Sequence, residues 1–260
     1  MKFASFPKFA LLALLAGVFA LALSGCGASN NLALTQGNWS MTATPTSGGA
    51  GTFYIGGNLT QTGSSLAGNM SVIGSCIPLQ TVAFTGTVKG KNVTLTSASV
   101  AGGVITVTAS GTTSAALTGT YTVTSGCDGG DKGNVTAAAV PSISGTWGGP
   151  ISSGGASATI AIAFTQSATT SPDGTFALTG NVTFTNSSCS LNGTISTSSI
   201  VGPYLVVNGQ TNDKSGGTGS FTYYQVFLNN PGTPTSMKGD YSVDGGDCQG
   251  DADSPTLTKQ

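Results

Sequence analysis

Two stretches of this chain carry the same short motifs in the same order, and that duplication constrains the fold more than any other feature. Gly37-Asn38-Trp39 corresponds to Gly145-Thr146-Trp147, Leu59-Thr60-Gln61 to Phe164-Thr165-Gln166, and Leu66-Ala67-Gly68 to Leu178-Thr179-Gly180. Ser75-Cys76 then matches Ser188-Cys189, and Thr85-Gly86-Thr87 matches Asn192-Gly193-Thr194. Both halves close on Gly-x-Tyr-x-Val, at Gly119, Tyr121 and Val123 and again at Gly239, Tyr241 and Val243. A cysteine beside Asp and Gly follows each time, Cys127 and Cys248. The chain therefore divides near Val140-Pro141 into two β-domains, residues 37–140 and 141–260, each long enough to bury a core of its own.

Within each half, apolar residues recur at every second position, as in Val82, Phe84, Gly86, Val88 and in Ile160, Ile162, Phe164. That period buries one face of a strand and wets the other, the mark of antiparallel sheet, and the abundance of Thr, Val, Gly and Asn agrees. A glycine sits inside the apolar series six times, at Gly68, Gly86, Gly119, Gly180, Gly193 and Gly239. Glycine weakens a strand, so its repeated use on one face needs a reason, and sharp bending supplies one by letting a sheet close on itself. Strands are expected around Trp39 and over 52–61, 66–74, 81–89, 92–99, 103–110, 116–124 and 133–139, joined as a meander. The chain is expected to be all-β, with two tandem antiparallel meander domains that are small eight-stranded barrels. Two-sheet β-sandwiches are the alternative. The Gly-x-Trp opening and late Gly-x-Tyr strand loosely resemble the avidin and lipocalin class of up-and-down barrels. The later Thr-Asp-Tyr and Arg motifs of lipocalins are absent, and no ligand residue carries over. Met70, Phe84, Tyr121, Phe184 and Tyr241 on the inward face predict filled barrels.

The N-terminus supplies an address. Lys2 and Lys8 precede an apolar run from Phe9 to Leu23, too short for a transmembrane helix of about 20 residues and arranged like a secretory signal. It ends in Leu23-Ser24-Gly25-Cys26, which resembles the lipobox of bacterial lipoproteins. The resemblance implies a signal peptide over residues 1–25, a diacylglycerol thioether on Cys26, and a lipidated tether over 26–36. Two or more acyl chains hold a protein firmly at a membrane, where one holds it marginally. Gly27, in place of Asp, implies the outer membrane where the host has two membranes. The expected location is the bacterial cell envelope.

The remaining residues restrict the chemistry. The chain has no His, Arg or Glu; beyond the signal it keeps six Lys and nine Asp. Without Arg and with weak negative charge it is a poor partner for nucleic acid. Without His, Ser–His and Cys–His nucleophiles cannot be assembled. No phosphate loop or dinucleotide fingerprint is present, and no cofactor is implied. Cys76, Cys127, Cys189 and Cys248 read as disulfides in an exported chain, one per repeat: Cys76–Cys127 and Cys189–Cys248. Zinc is the competing reading, weakened by the lack of CxxC pairs. Asp128, Asp131, Asp244, Asp247, Asp251 and Asp253 cluster beside Cys127 and Cys248 and are weak calcium candidates, since Asp also favours turns. The expected role is a non-catalytic lipoprotein with a structural or interaction function, its partner an unidentified envelope protein or small ligand. The alternatives are a small-ligand carrier with a pocket inside a barrel, and an enzyme of unfamiliar type.

Overall fold

A computed structural model describes residues 31–46, 51–74, 76–126 and 128–260; Cys26 and the signal lie outside them, as does Cys127. The first repeat forms β1 (Gly37–Pro45), β2 (Phe53–Thr62), β3 (Ser65–Ile73), β4 (Gln80–Lys89), β5 (Asn92–Ser97), β6 (Ile105–Thr113), β7 (Ala116–Val123) and β8 (Lys132–Ala139). Each pairs antiparallel with the next, and β1 pairs with β8 along Trp39–Pro45, closing the barrel. The second repeat contributes β9 (Gly145–Ser153), β10 (Ala156–Thr170), β11 (Phe176–Thr185), β12 (Ser190–Val201), β13 (Tyr204–Asp213), β14 (Thr218–Leu228) and β15 (Ser236–Asp244). A short 3-10 turn at Gly246–Cys248 leads to β16 (Asp251–Asp253) and β17 (Thr256–Lys259). The chain is thus two closed eight-stranded antiparallel barrels in tandem, as the alternation and in-strand glycines predict; the sandwich alternative does not apply.

The second barrel closes differently. Its eighth strand is broken by Ser254-Pro255 into β16, which pairs with Tyr241–Val243 of β15, and β17, which pairs with Ser236–Lys238 of β15 and with Trp147 and Gly148 of β9. Proline has no N–H to give a ladder. Side chains occupy the gap: the Tyr223 hydroxyl donates to the Pro255 carbonyl (3.3 Å), and Asp253 Oδ2 accepts from the Ser152 amide (2.7 Å).

The duplicated motifs do the same work twice. Gly37 and Gly145 take φ +116° and +119°, a left-handed backbone that only glycine adopts readily, and it turns each chain into its first strand. The indole two residues later is fully buried, and its Nε1 donates to a carbonyl four residues upstream: Trp39 to Thr35 (2.7 Å), Trp147 to Ile143 (2.8 Å). Gln61 Oε1 accepts from the Leu34 amide (2.8 Å), and Gln166 Oε1 accepts from the Ile143 amide (3.0 Å). A buried indole and a glutamine therefore pin the lead-in segment across the end of each barrel.

The cores are separate. Leu34 through Ala139 supply one and Val140 through Leu257 the other. Phe53 meets Tyr121 edge to face (centroids 4.8 Å apart) in the first lumen, and Phe184, Phe221 and Tyr241 cluster at 6.1–6.2 Å in the second. Such aromatic packing fills the interiors. The in-strand glycines sit where a neighbouring strand crowds in. A Cβ on Gly86 would lie 2.0 Å from the Thr94 carbonyl oxygen, and one on Gly180 would lie 1.8 Å from that of Ala163.

Residues 32–260 form one compact unit, and the barrels meet backbone to backbone. The Gly202 turn between β12 and β13 lies against Gly56 of β2, where a Cβ on either glycine would sit 2.7 Å from the other's Cα. Asn38 clamps that turn like a strand partner, its Nδ2 donating to the Gly202 carbonyl (2.9 Å) and its Oδ1 accepting from the Gly202 amide (2.7 Å). A second tie runs from Asn69 Nδ2 to the Pro172 carbonyl (2.6 Å). Thr146 stands where the first repeat has Asn38, so the repeats diverge where one docks on the other.

Candidate functional site

Two concavities hold the chemistry of this surface. The first is an open polar cleft of about 380 Å³ at one end of the second barrel, lined among others by Ser188, Cys189, Asp247, Cys248 and Asp251. The duplicated cysteine and acid positions converge here. Cys189 and Cys248 are free thiols, which corrects the disulfide expected between them. The Cys248 thiol is buried beside Cys189, whose own thiol is directed to Asp251 Oδ2 (3.7 Å) and the Ser190 hydroxyl (3.8 Å). The duplication places the two cysteines side by side, but the Cys189 sulfur is turned to oxygen partners. Burial, with the Cys189 contact, pushes the Cys248 thiol up to about 11, so it is protonated at neutral pH and a poor nucleophile. In the first barrel Cys76 is engaged in a disulfide; its expected partner, Cys127, lies outside the described residues.

The acids do not assemble into a cation site. Among the described residues no three Cys or Asp side chains are placed to share an ion. Asp131 Oδ2 accepts from the Tyr121 hydroxyl (2.7 Å), and Oδ1 accepts from the Lys132 amide (2.8 Å). Asp128 is buried beside it, and burial followed by the Asp131 charge raises its carboxyl. In the second barrel Asp251 Oδ2 accepts from the Ser153 hydroxyl (2.9 Å). The Tyr241 hydroxyl and Asp251 Oδ1 are both buried without a hydrogen-bond partner. Burial raises Tyr121 and Tyr241 alike, so both phenols stay protonated, the first hydrogen-bonded to Asp131 and the second without a partner. Asp253 caps Ser152 and Ser254, and the Asp247 amide is a donor; Asp244 pairs with Ser220 in the β14–β15 ladder. The six calcium candidates thus serve the barrel ends separately.

Asp213, which the motif comparison passes over, organises this end. Its Oδ1 accepts from the Ser215 hydroxyl (2.7 Å) and amide (3.0 Å) and the Gly217 amide (2.7 Å), and its Oδ2 accepts from the Asp247 amide (3.0 Å). These bonds, that from Asp247 foremost, hold its carboxyl below the usual range. A depressed carboxyl stabilises the fold fully above its unfolded pKa of about 3.9, and that contribution is lost as pH falls through the folded value. Asp213→Asn is therefore expected to lower the urea midpoint at pH 7 and to flatten its fall between pH 4 and pH 2. Parallel acid losses in both proteins, read by urea titration at each pH, would show that Asp213 carries no part of the acid sensitivity.

The second concavity is apolar and lies between the barrels, with a volume of about 190 Å³. Tyr54, Ser71, Ile73 and Leu79 wall it from the first barrel, and Val201, Tyr204, Val206 and Gln225 are among the residues that wall it from the second. The Tyr54 and Tyr204 rings stand at 83° with centroids 6.0 Å apart, and Phe227 closes on Tyr204 at 4.9 Å. Burial and then Tyr54 raise the Tyr204 phenol, which stays neutral. Ile73, Leu79 and Val206 are exposed here, and Tyr224 beside Gln225 is exposed as well. Clustered apolar exposure of this kind marks binding surfaces, where a single exposed leucine does not.

Irregular backbone surrounds this cleft. The ladder slips between Ser196 and Ser199 of β12, between Leu205 and Val207 of β13, and between Tyr224 and Phe227 of β14. Within strands, Thr197 (φ +49°) and Gln225 (φ +54°) adopt the left-handed conformation, at a cost of about 1–3 kcal/mol each. Bulges re-aim side chains and recur beside functional sites. No cleft residue figured among the sequence-based candidates. The readable signal was doubled apolar runs, Phe53-Tyr54-Ile55 and Tyr204-Leu205-Val206-Val207, which make both faces of a strand apolar.

No family model matches the chain, and no curated protein matches it. Among solved structures, kievitone hydratase from Nectria haematococca overlaps 89% of this chain and 91% of that chain, with 8% identity and a TM-score of 0.25. A likeness so slight carries no argument about fold or activity.

Proposed function

We propose that this protein is a lipid-anchored component of the bacterial cell envelope with a non-catalytic binding or interaction role, and that the cleft between its barrels is the contact site. The observation that carries this reading is where apolar surface remains. Each lumen is occupied by its own aromatic side chains, whereas exposed apolar residues gather outside, between the barrels. That arrangement favours a binding face over a lumen carrier. The cleft is lined by hydroxyls, one amide and hydrocarbon, with no carboxylate, amine or thiol among its described lining residues. Binding uses such a surface directly; its titratable groups are two phenols, of which Tyr204 is kept neutral by burial.

The anchoring part rests on Leu23-Ser24-Gly25-Cys26. In a bacterial host fed a clickable palmitate analogue, the full chain is expected to label and to sediment with membranes. Cys26→Ser is expected to lose the label and to enter the soluble fraction. A wild-type chain that stays unlabelled, or a labelled Cys26→Ser variant, would overturn the anchor.

A further inference from the structure

We infer that the inter-barrel cleft is a binding site for a small, uncharged aromatic compound of one or two fused rings. This rests on the cleft being the binding face, and it names the ligand that face takes.

Size comes first. A stable protein–protein interface buries about 800 Å² on each partner. Here the apolar exposure is confined to a handful of side chains around a concavity of about 190 Å³, a space suited to a compact small molecule. Charge comes next. The described lining residues include no Lys and no Asp, and an ion entering this wall would lose its water without gaining a partner. Shape decides between a ring and a chain. Tyr54 and Tyr204, packed edge to face on each other, both line the opening and give it an aromatic wall. Aromatic groups prefer such edge-to-face and offset arrangements by about 0.5–1.5 kcal/mol beyond the area they bury. Aliphatic Ile73, Leu79, Val201 and Val206 line the remaining walls.

Polarity at the rim completes the match. Gln225 is held at φ +54° in the β14 bulge and is an exposed residue of the cleft lining. An amide at that position can bond a ring hydroxyl or carbonyl while the ring sits against the tyrosines. The three slipped ladders on β12, β13 and β14 all lie on the strands that form this wall. The first repeat pairs the strands opposite, β2 with β3 and β3 with β4, without a bulge beside the cleft. The asymmetry fits a site built mainly by the second repeat and covered by the first.

The test is calorimetric titration of 2-naphthol into the full chain held in phosphatidylcholine nanodiscs, with empty nanodiscs subtracted. Saturable binding at one site per chain is expected. Val206→Asp, at a half-exposed position on the cleft wall (51% exposed), is expected to weaken it at least tenfold. Leu191→Ser, a comparably exposed position outside the cleft, is expected to leave it unchanged. Circular dichroism of each variant confirms the fold. Equal affinity in wild type and Val206→Asp, or no saturable heat beyond empty nanodiscs, would overturn the site. Tighter binding of n-decanol than of 2-naphthol would overturn the ring class. Palmitate labelling scores the anchor independently, so failure of the ligand inference is distinguishable from failure of the envelope reading.

Discussion

Trp147→Ala is expected to destabilise the second barrel by about 3–5 kcal/mol, the cost of truncating a large, fully buried aromatic side chain. The Trp147 ring is 0% exposed, its Nε1–H bonds the Ile143 carbonyl at 2.8 Å, and Lys259 Nζ lies 5.6 Å from the ring centroid. Removing it opens a cavity and frees the lead-in segment where β9 and β17 close the barrel through just two paired positions among the described residues. For a domain of this size the loss corresponds to a fall of roughly 10–20 °C in melting temperature. The chain has two tryptophans, so the variant keeps Trp39 as a fluorescent reporter of the first barrel alone. Far-UV circular dichroism should show an early transition while Trp39 fluorescence changes near the wild-type temperature. The separate cores are the reason. A shift of only a degree or two would refute the role of Trp147 in pinning the lead-in segment, and two signals falling together would show that the barrels unfold as one.

Gly180→Ala is the second large effect. Gly180 pairs with Phe164 in the β10–β11 ladder, and an added Cβ would lie 1.8 Å from the Ala163 carbonyl oxygen. That atom belongs to a paired strand, so relief requires part of the ladder to separate. The glycine also has φ +155°. Overpacking a tight site costs about 1–3 kcal/mol and more where backbone must move, and a loss at or above about 3 kcal/mol is expected here. Gly63→Ala is the control. It sits in the β2–β3 turn at φ +61° with open space around its Cβ, so backbone strain of roughly 1 kcal/mol is its whole penalty. Chemical denaturation of both variants decides the matter. Equal losses would mean that close strand approach is not why glycine occupies the apolar series.

The strands and their inward faces were legible because their cause is local. Side chains alternate across a strand whatever lies beyond it, so period two marked the inward face. In the first repeat the expected strands fall within a few residues of the observed ones, from β2 at 53–62 to β8 at 132–139. The second repeat was less transparent: the break at Pro255 and the slips in β12 to β14 depend on how neighbours coil.

The candidate site shows the same division. Repeat matching brought Cys189 and Cys248 to one place, yet both are free thiols, with the Cys189 sulfur 3.7 Å from Asp251 Oδ2. Asp213 escaped notice because its partners, Ser215, Gly217 and Asp247, come together only when two turns pack. Tyr54 and Tyr204 are 150 residues apart and belong to different repeats.

The duplicated motifs and their alternation determined the number of domains, the all-β class and which side chains enter each lumen, since a period-two pattern encodes facing within a single strand. Only the tertiary structure decided which outer faces meet. The Gly56–Gly202 approach and the Asn38 clamp depend on two surfaces distant in sequence, and between those surfaces lies the apolar cleft. One repeat, read alone, contains just half of it.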